Sequence, residues 1–575
     1  VTGIDRVFDY LVPDEMSGII EVGSRVRVSL HGRRVGGWVV ELLDRSDEVE
    51  STALKPIVKS SGLGPSADVI DLGRWASQRW CASRLRPFLV VASPSVVVNR
   101  PATPRRTRVL AEPVSPATTA LIDRGGGVLR LPPTVDHLPS ILSAARVGPT
   151  LVVCPSVDQA RVLSHRLRRT GVSVALVPED WAQARGGADV VIGARGAAFA
   201  PCPDLRVALV LDEHDEGLQE ERTPTWHARD VVVERCRRAG AVVVLVSPVP
   251  SVEAWSSVGA RGGSVLAPDR DRERRAWPRI DLVDLGEQEP WKRTLVSSTL
   301  IEELRDESRR VVCVVNTKGQ ARATACRSCR ALARCSECEA AVVEIDHDVF
   351  VCPRCAARRP RVCASCGSTT MARVRPGTTR LREELERASL RRVLEVTSSS
   401  GDVDDTGADV FVGTEAVLHR VRRADTVVFL DVDSELLAPR FRAREHVWSL
   451  VARAARLVGP SGRIVLQTSL IAHDTVRAIA DLDLDGSVRA EWELRRALDL
   501  PPFSTLAVVE GDGLAPLAGA LSSVVGVQVT DLGERLLVRA VDPQRLAEAW
   551  DGARTRLDKD ARTKRVRIAV DPPRV

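Results

Sequence analysis

The alternation of apolar and polar positions changes character several times along the chain, and each change marks a domain. Val22-Gly-Ser-Arg-Val-Arg-Val28 and Arg34-Val-Gly-Gly-Trp-Val-Val40 alternate apolar with basic or small residues around a turn at His31-Gly32. That period of two predicts short half-buried strands, so residues 1 to about 58 read as a small β domain, barrel-like in outline. Residues 66–86 follow with helical spacing, Trp75 and Trp80 reading as core, and 101–116 is a linker rich in proline and arginine. From about 120 to 255 the apolar runs become continuous and strand-sized, at 128–131, 150–154, 172–177, 189–192, 207–211 and 241–246. Helical segments such as 157–169 and 228–239 separate them. Such runs predict strands buried on both faces, in a mostly parallel α/β sheet. A second α/β block spans roughly 290–475, with strands at 311–315, 408–413, 426–430 and 463–467. Pro501-Pro-Phe503 opens a final α+β domain with strands at 507–510 and 535–540.

The division expected is therefore an N-terminal β domain with a helical extension (1–98), a linker (99–119), a first α/β lobe (120–285), a second lobe (286–478) and a C-terminal domain (479–575). A chain of 575 residues needs several cores, which suits this division. With 44% apolar and 27% charged residues its balance is that of globular proteins. No run of about 18 apolar residues predicts a membrane span, and the first residues do not read as a signal peptide, so a cytoplasmic location is the expectation. The net charge of +6 decides little, because 82 basic and 76 acidic side chains nearly cancel.

Thirteen cysteines change the picture. Cys81, Cys154, Cys202, Cys236 and Cys313 are scattered, mostly in apolar surroundings, and read as buried thiols. The other eight fall in four C-x2-C pairs: Cys326/Cys329, Cys335/Cys338, Cys352/Cys355 and Cys363/Cys366. Two thiolates on one tight turn can converge on a tetrahedral ion, so eight make two closed four-cysteine zinc sites, structural because no position is left for a substrate water. Gly367, directly after the last pair, suits a chain reversal at positive φ. The spacing supplies the count of sites and leaves the pairing open. His347 is a possible but unneeded ligand. Arg327, Arg330, Arg334, Arg354, Arg358, Arg359 and Arg361, interspersed among the cysteines, read equally as a solvated face or as phosphate contacts.

Two α/β lobes in tandem suggest a nucleotide-driven motor, and a phosphate cradle should then follow the first strand as Gly-x4-Gly-Lys-[Ser/Thr]. The chain instead reads Val128-Leu-Arg-Leu-Pro-Pro-Thr134: two prolines remove amide donors, and no lysine follows. Gly125-Gly-Gly127 precedes the strand and reads as a turn.

The whole pattern resembles the PriA family of primosomal replication-restart proteins, in its actinobacterial form with degenerate helicase motifs. The resemblance is carried by the four cysteine pairs, Phe8-Asp-Tyr-Leu-Val-Pro13, Gly23-Ser-Arg-Val-Arg-Val28 and Ile192-Gly-Ala-Arg-Gly-Ala-Ala-Phe-Ala-Pro201. Glu213-His-Asp215, Trp226-His-Ala-Arg-Asp230, Val412-Gly-Thr414, Leu430-Asp-Val-Asp433, Phe441-Arg-Ala443 and Pro501-Pro-Phe503 add to it. It implies a multidomain α/β fold: an N-terminal domain holding a 3′ end, two RecA-like lobes with a two-zinc insert at 326–366 in the second, and a C-terminal α+β domain. It also implies the pairing, with Cys326, Cys329, Cys363 and Cys366 on one zinc and Cys335, Cys338, Cys352 and Cys355 on the other. Arg25, Arg27, Arg33 and Arg34 are the basic candidates for DNA contact in the N-terminal domain, and Arg554, Arg556, Lys559, Arg562, Lys564, Arg565 and Arg567 enrich the C-terminal end in base.

The departures from the family pattern fall on nucleotide chemistry. Leu211 stands where the first acid of a D-E-E-H box belongs, leaving Asp212-Glu213-His214. Val246-Ser-Pro-Val-Pro250, Gly413-Thr-Glu-Ala-Val-Leu-His-Arg420 and Arg453-Ala-Ala-Arg456 replace three further motor motifs. The first family strand and a winged-helix insert near 100–120 are not apparent either. The expectation is a protein that binds stalled or abandoned forks bearing a nascent 3′ end and promotes primosome assembly and reloading of the replicative helicase. Primosome proteins and single-stranded-DNA-binding protein are partners by resemblance, and ATPase and helicase activity are expected to be absent. An active ATP-dependent 3′–5′ helicase, or a zinc-containing interaction scaffold with little DNA affinity, are the alternatives.

Overall fold

In the computed structural model, the described residues are 7–46, 53–107, 112–259, 264–286, 295–315, 324–329, 331–346, 349–373, 378–397, 400–401, 403, 407–438, 440–556 and 566–572. Two parallel sheets form its centre. The first has seven strands in the order Ser264–Leu266, Gly126–Arg130, Val242–Ser247, Val207–Leu211, Thr150–Val153, Val190–Gly193 and Val174–Val177. The second has six, in the order Arg279–Asp284, Arg463–Thr468, Thr426–Phe429, Val311–Val314, Val410–Gly413 and Val393–Val396. Every pairing in both is parallel, the topology of RecA-like lobes. Strand Arg279–Asp284 pairs along its whole length with Arg463–Thr468, so the chain enters the second sheet before residue 285, where the sequence pattern closes the first lobe.

The continuous apolar runs are explained by burial on both faces. In the first sheet Leu129, Val152, Ile192, Leu209 and Val244 pack to one side, and Val128, Leu151, Val191, Val210 and Leu245 to the other. Ser156 caps helix Val157–Arg169 by accepting from the Gln159 amide, and the helix ends in Arg166, Arg168 and Arg169, which suit the negative end of its dipole.

The second face of the first sheet does not stop at the lobe. Its core continues into helix Ala67–Arg79, through Val69, Leu72 and Ala76, and into the C-terminal domain, through Leu517, Leu536, Val538 and Trp550. That last domain is a four-stranded antiparallel sheet with helices Leu514–Ser522 and Pro543–Arg556. Thr225 locks it to the first lobe, its hydroxyl donating to the Val570 carbonyl (2.8 Å) and accepting from the Val570 amide (3.0 Å). A salt bridge from Arg79 to Asp571 (2.9 Å) ties in the helical extension.

The N-terminal domain differs from expectation. Its described strands, Arg33–Trp38, Arg25–Leu30 and Lys59–Ser60, form an open antiparallel sheet and not a closed barrel. Among the described residues its apolar cluster is small, made of Ile20, Val26, Val28, Val35 and Ile57. The helical stretch at 66–86 is two helices, Ala67–Arg79 and Arg86–Ala92, with Cys81 at φ 49° in the reversal between them.

Candidate metal centres and the cleft between the lobes

The cysteine-rich insert is built from one turn used repeatedly. In three of the pairs the first cysteine's amide donates to the carbonyl five residues on: Cys335 to Ala340 (2.8 Å), Cys352 to Ala357 (2.8 Å) and Cys363 to Ser368 (2.9 Å). The residue after the second cysteine donates back to the first. That residue lies in the left-handed region each time: Glu339 at φ 60°, Ala356 at 64° and Gly367 at 73°. Cys326 repeats the forward bond to Ala331 (2.9 Å), while Arg330 and His347 lie outside the described residues. Each turn points both thiols to one side.

The turns gather the sulfurs into two groups: Cys326, Cys329, Cys363 and Cys366, and Cys335, Cys338, Cys352 and Cys355. These are the sets the resemblance implies. Within them Cys326–Cys366 and Cys335–Cys355 stand 3.6 Å apart, and Cys329–Cys363 and Cys338–Cys352 3.4 Å. A disulfide would need about 2.0 Å. Four sulfurs at about 2.3 Å from a tetrahedral zinc stand about 3.8 Å from one another, so both clusters fit one zinc each.

The two centres differ in surroundings. In the outer one, Cys329 and Cys366 are exposed. In the inner one, Cys335, Cys338 and Cys352 belong to an apolar cluster with Ala340, Val342 and Phe350, against which Met371 and Leu498 pack. Buried Arg354 stitches the inner centre to the second lobe, donating to the carbonyls of Cys338 (2.9 Å) and Ala438 (3.2 Å). The Ala341 amide reaches the Leu437 carbonyl (2.7 Å), and Glu339 pairs with Arg444 and His473, each at 3.3 Å. Arg359 and Arg361 likewise donate to carbonyls of the module itself, leaving Arg327 and Arg358 as exposed arginines that make no ion pair among the described residues. Arg334 stands 4.0 Å from Glu339.

The carboxyl ends of the first sheet face the second lobe, where a motor of this topology holds its nucleotide. After strand Gly126–Arg130 the chain passes Pro132 and Pro133 and reaches helix Leu138–Val147 through His137, whose ring lies 3.6 Å from Asp212. Asp212 is fully buried at φ 48°, accepts from Gln159 (3.1 Å) and receives both terminal nitrogens of Arg456 (2.7 and 3.0 Å). Burial pushes its carboxyl up, but Arg456 and His137 hold it well below the usual carboxylate range. Arg453 pairs with Asp215 and with Glu415 (3.0 Å). Glu213 is taken up within the first lobe by Arg229 (3.2 Å) and by the amide and hydroxyl of Ser251, both at 2.8 Å. Among the described residues the arrangement offers an anion no free cation beside Asp212, and the two prolines offer no amide.

Further ties cross the cleft. Arg440 (3.2 Å) and His446 (2.8 Å) reach Glu216, Arg442 reaches Glu253 (2.7 Å) and Gln219 (2.9 Å), and Glu445 accepts from the Val252 amide (2.7 Å). Burial lowers the pKa of His446, but Glu216 outweighs it and holds the imidazole above its ordinary value of 6.5. A group so raised contributes stability that is complete below pH 6.5 and is lost as pH rises through the folded-state value. Urea midpoints of the protein are therefore expected to fall between pH 6 and pH 8.5, and His446→Gln to flatten that fall.

In the N-terminal sheet the four basic candidates part company. Arg27 and Arg34 share the polar face, with Lys59, which the sequence pattern does not single out, directly opposite Arg27. Arg33 points from the other face at the hairpin end, and Arg25 donates to the carbonyls of Pro94 (3.1 Å) and Val96 (3.3 Å), holding the helical extension in place. Lys559, Arg562, Lys564 and Arg565 lie outside the described residues.

Residues 1–91 match the family model for the PriA 3′DNA-binding domain (3'BD). Over 561 residues the chain is 29% identical to the probable replication restart protein PriA of Mycobacterium tuberculosis H37Rv, covering 89% of this chain and 85% of that one. The chain is a homologue of the replication restart protein PriA. The Mycobacterium leprae PriA is 28% identical over 571 residues, covering 89% and 86%, whereas the Bacillus subtilis PriA matches 365 residues at 25% identity, 59% of this chain and 45% of that one. The likeness to the mycobacterial PriA proteins thus runs through most of the molecule. Among the described residues no helix is long and apolar enough to cross a membrane.

Proposed function

We propose that the protein is a DNA-binding scaffold of replication restart that works without a motor. The N-terminal domain holds the nascent 3′ end at a stalled or abandoned fork, and the zinc module and C-terminal domain contact fork DNA and primosome proteins so that the replicative helicase is reloaded. The match of residues 1–91 to a 3′DNA-binding domain supports the first part. The observation that carries the second is Asp212: the first acid left in the motor box is neutralised by Arg456, beside a first-strand turn containing two prolines and no lysine. An ATP-driven 3′–5′ helicase would need that charge balance reversed, since phosphate requires unpaired cations and amide donors.

Arg27 and Arg34 on the open sheet face suit phosphate contacts, which position DNA without reading its sequence. The test is binding of the full chain to a labelled fork with a free 3′ end, a fork with that end blocked, and plain duplex, with and without ATP. Preference for the free 3′ end, unchanged by ATP and without strand separation, is expected. Arg27→Ala with Arg34→Ala is expected to weaken fork binding and reduce its salt slope by about 0.9 for each phosphate left unneutralised. Indifference to the 3′ end would overturn the fork-end reading and favour an interaction scaffold; ATP-dependent unwinding would overturn the no-motor reading.

A further inference from the structure

We infer that the two lobes are clamped in one closed arrangement by the protein's own arginines, so that closure requires no nucleotide. The clamp is the segment from Arg440 through helix Ala443–Val458, joined by Arg495 of helix Leu484–Ala497. Among the described residues six of its basic side chains cross to carboxylates of the first lobe: Arg440 and His446 to Glu216, Arg442 to Glu253, Arg453 to Asp215, Arg456 to Asp212, and Arg495 to Glu253 (3.2 Å). Arg456 also donates to the Pro133 carbonyl (2.9 Å), in the turn where a phosphate cradle would stand. In a cycling motor, nucleotide draws the lobes together and its loss lets them part; a ligand does so only by binding the closed state better. Here the attraction is intramolecular, supplied by side chains of the chain itself in every molecule.

The burial of the partners makes the clamp hard to release. Asp212 is fully buried, and the side chains of Glu216, Glu253 and Asp215 are at most a quarter exposed. Opening would strip each carboxylate of its cation, and unpairing buried charges is costly. Neighbouring side chains fix the arginines in turn: Glu415 holds Arg453, Glu435 holds Arg440 (2.9 Å), and Arg442 and Arg495 lie over the Phe441 ring at 4.7 and 5.2 Å. The zinc module adds a brace, because Arg354 holds the Ala438 carbonyl and Glu339 holds Arg444 on either side of the clamp's first turn.

The spacing of the lobes can be measured apart from fork binding, which separates the clamp from the proposed function. Small-angle scattering and amide hydrogen exchange of the full zinc-loaded chain are compared with and without magnesium and a non-hydrolysable ATP analogue. The expected result is an unchanged scattering curve and unchanged, slow exchange in strand Val207–Leu211 and helix Ala443–Val458. Arg453→Ala with Arg456→Ala is expected to enlarge the particle and speed exchange at both elements about tenfold or more, with two zinc ions retained. Arg456→Lys, which keeps the charge but not the two-pronged contact with Asp212, should fall between. Compaction of the wild-type chain by the analogue, or a double variant as compact and slow-exchanging as wild type, would overturn the clamp. If the double variant loses zinc, Arg456→Lys decides.

Discussion

Replacing Arg495 with alanine is expected to destabilise the centre of the molecule by about 3–5 kcal/mol at neutral pH, the scale for removing one partner of a buried ion pair. Its side chain is wholly buried and meets three carboxylates: Glu491 (2.8 Å) on its own helix, Glu445 in the second lobe and Glu253 in the first (3.2 Å). It also donates to the Pro501 carbonyl (3.2 Å) at the entrance to the C-terminal domain. Three parts of the chain thus depend on one guanidinium. The loss should also depend on pH. Burial already raises Glu445 to about 7 with Arg495 in place, so removing the cation raises that carboxyl further above its unfolded value. Groups so raised favour the folded state fully below the unfolded pKa and lose that contribution as pH rises. Arg495→Ala should therefore be markedly less harmful near pH 5 than near pH 7.5, judged by urea midpoints at each. A penalty independent of pH would mean that missing packing, not unpaired charge, is the cause.

Arg495 shows what the sequence reveals and what it hides. Apolar runs locate ten strands of the two lobes to within two or three residues but miss the partly buried edge strands Ser264–Leu266, Arg279–Asp284 and Val393–Val396, and helices Val157–Arg169 and Ala228–Ala239 are legible end to end because caps and basic last turns bound them. Strands Val527–Asp531 and Arg567–Val570 escape notice: the first is largely half-exposed, and the second follows a basic stretch that masks its pattern. The zinc ligands are legible because four identical spacings repeat a local turn. The cleft is legible only as a set of losses. Its ion pairs join partners such as Arg453 with Asp215 and Arg456 with Asp212, 238 and 244 residues apart, which no local pattern can pair. Likewise Arg25 looks like a DNA contact in an alternating strand, yet its hydrogen bonds are to carbonyls some seventy residues along the chain.

Chelation of the zinc-loaded protein should release metal in two steps, the outer ion first and the inner one only as structure is lost. Two exposed thiols, Cys329 and Cys366, give a chelator access to the outer centre, whose loss frees a turn at the tip of the module. The inner sulfurs are themselves core: Cys338 and Cys352 are no more than 1% exposed and pack with Phe350 and Val342. Removing that ion leaves four thiols in an apolar cluster with nothing to hold them together, and binding free energy at structural zinc sites is on the order of 10–16 kcal/mol at neutral pH. Cys352→Ser is accordingly expected to lose one zinc per chain, unfold the module and lower the thermal midpoint of the second lobe. Cys366→Ser should lose its zinc with little change in that midpoint. Metal release followed with a colorimetric chelator, alongside thermal unfolding of both variants, distinguishes the centres; simultaneous release, or inner release first, would contradict the assignment. The asymmetry follows from where the module is anchored. Arg354, Ala341 and Glu339, which join it to the second lobe by hydrogen bonds and an ion pair, all belong to the inner centre, so strain on the lobe is felt there and not at the exposed outer turn.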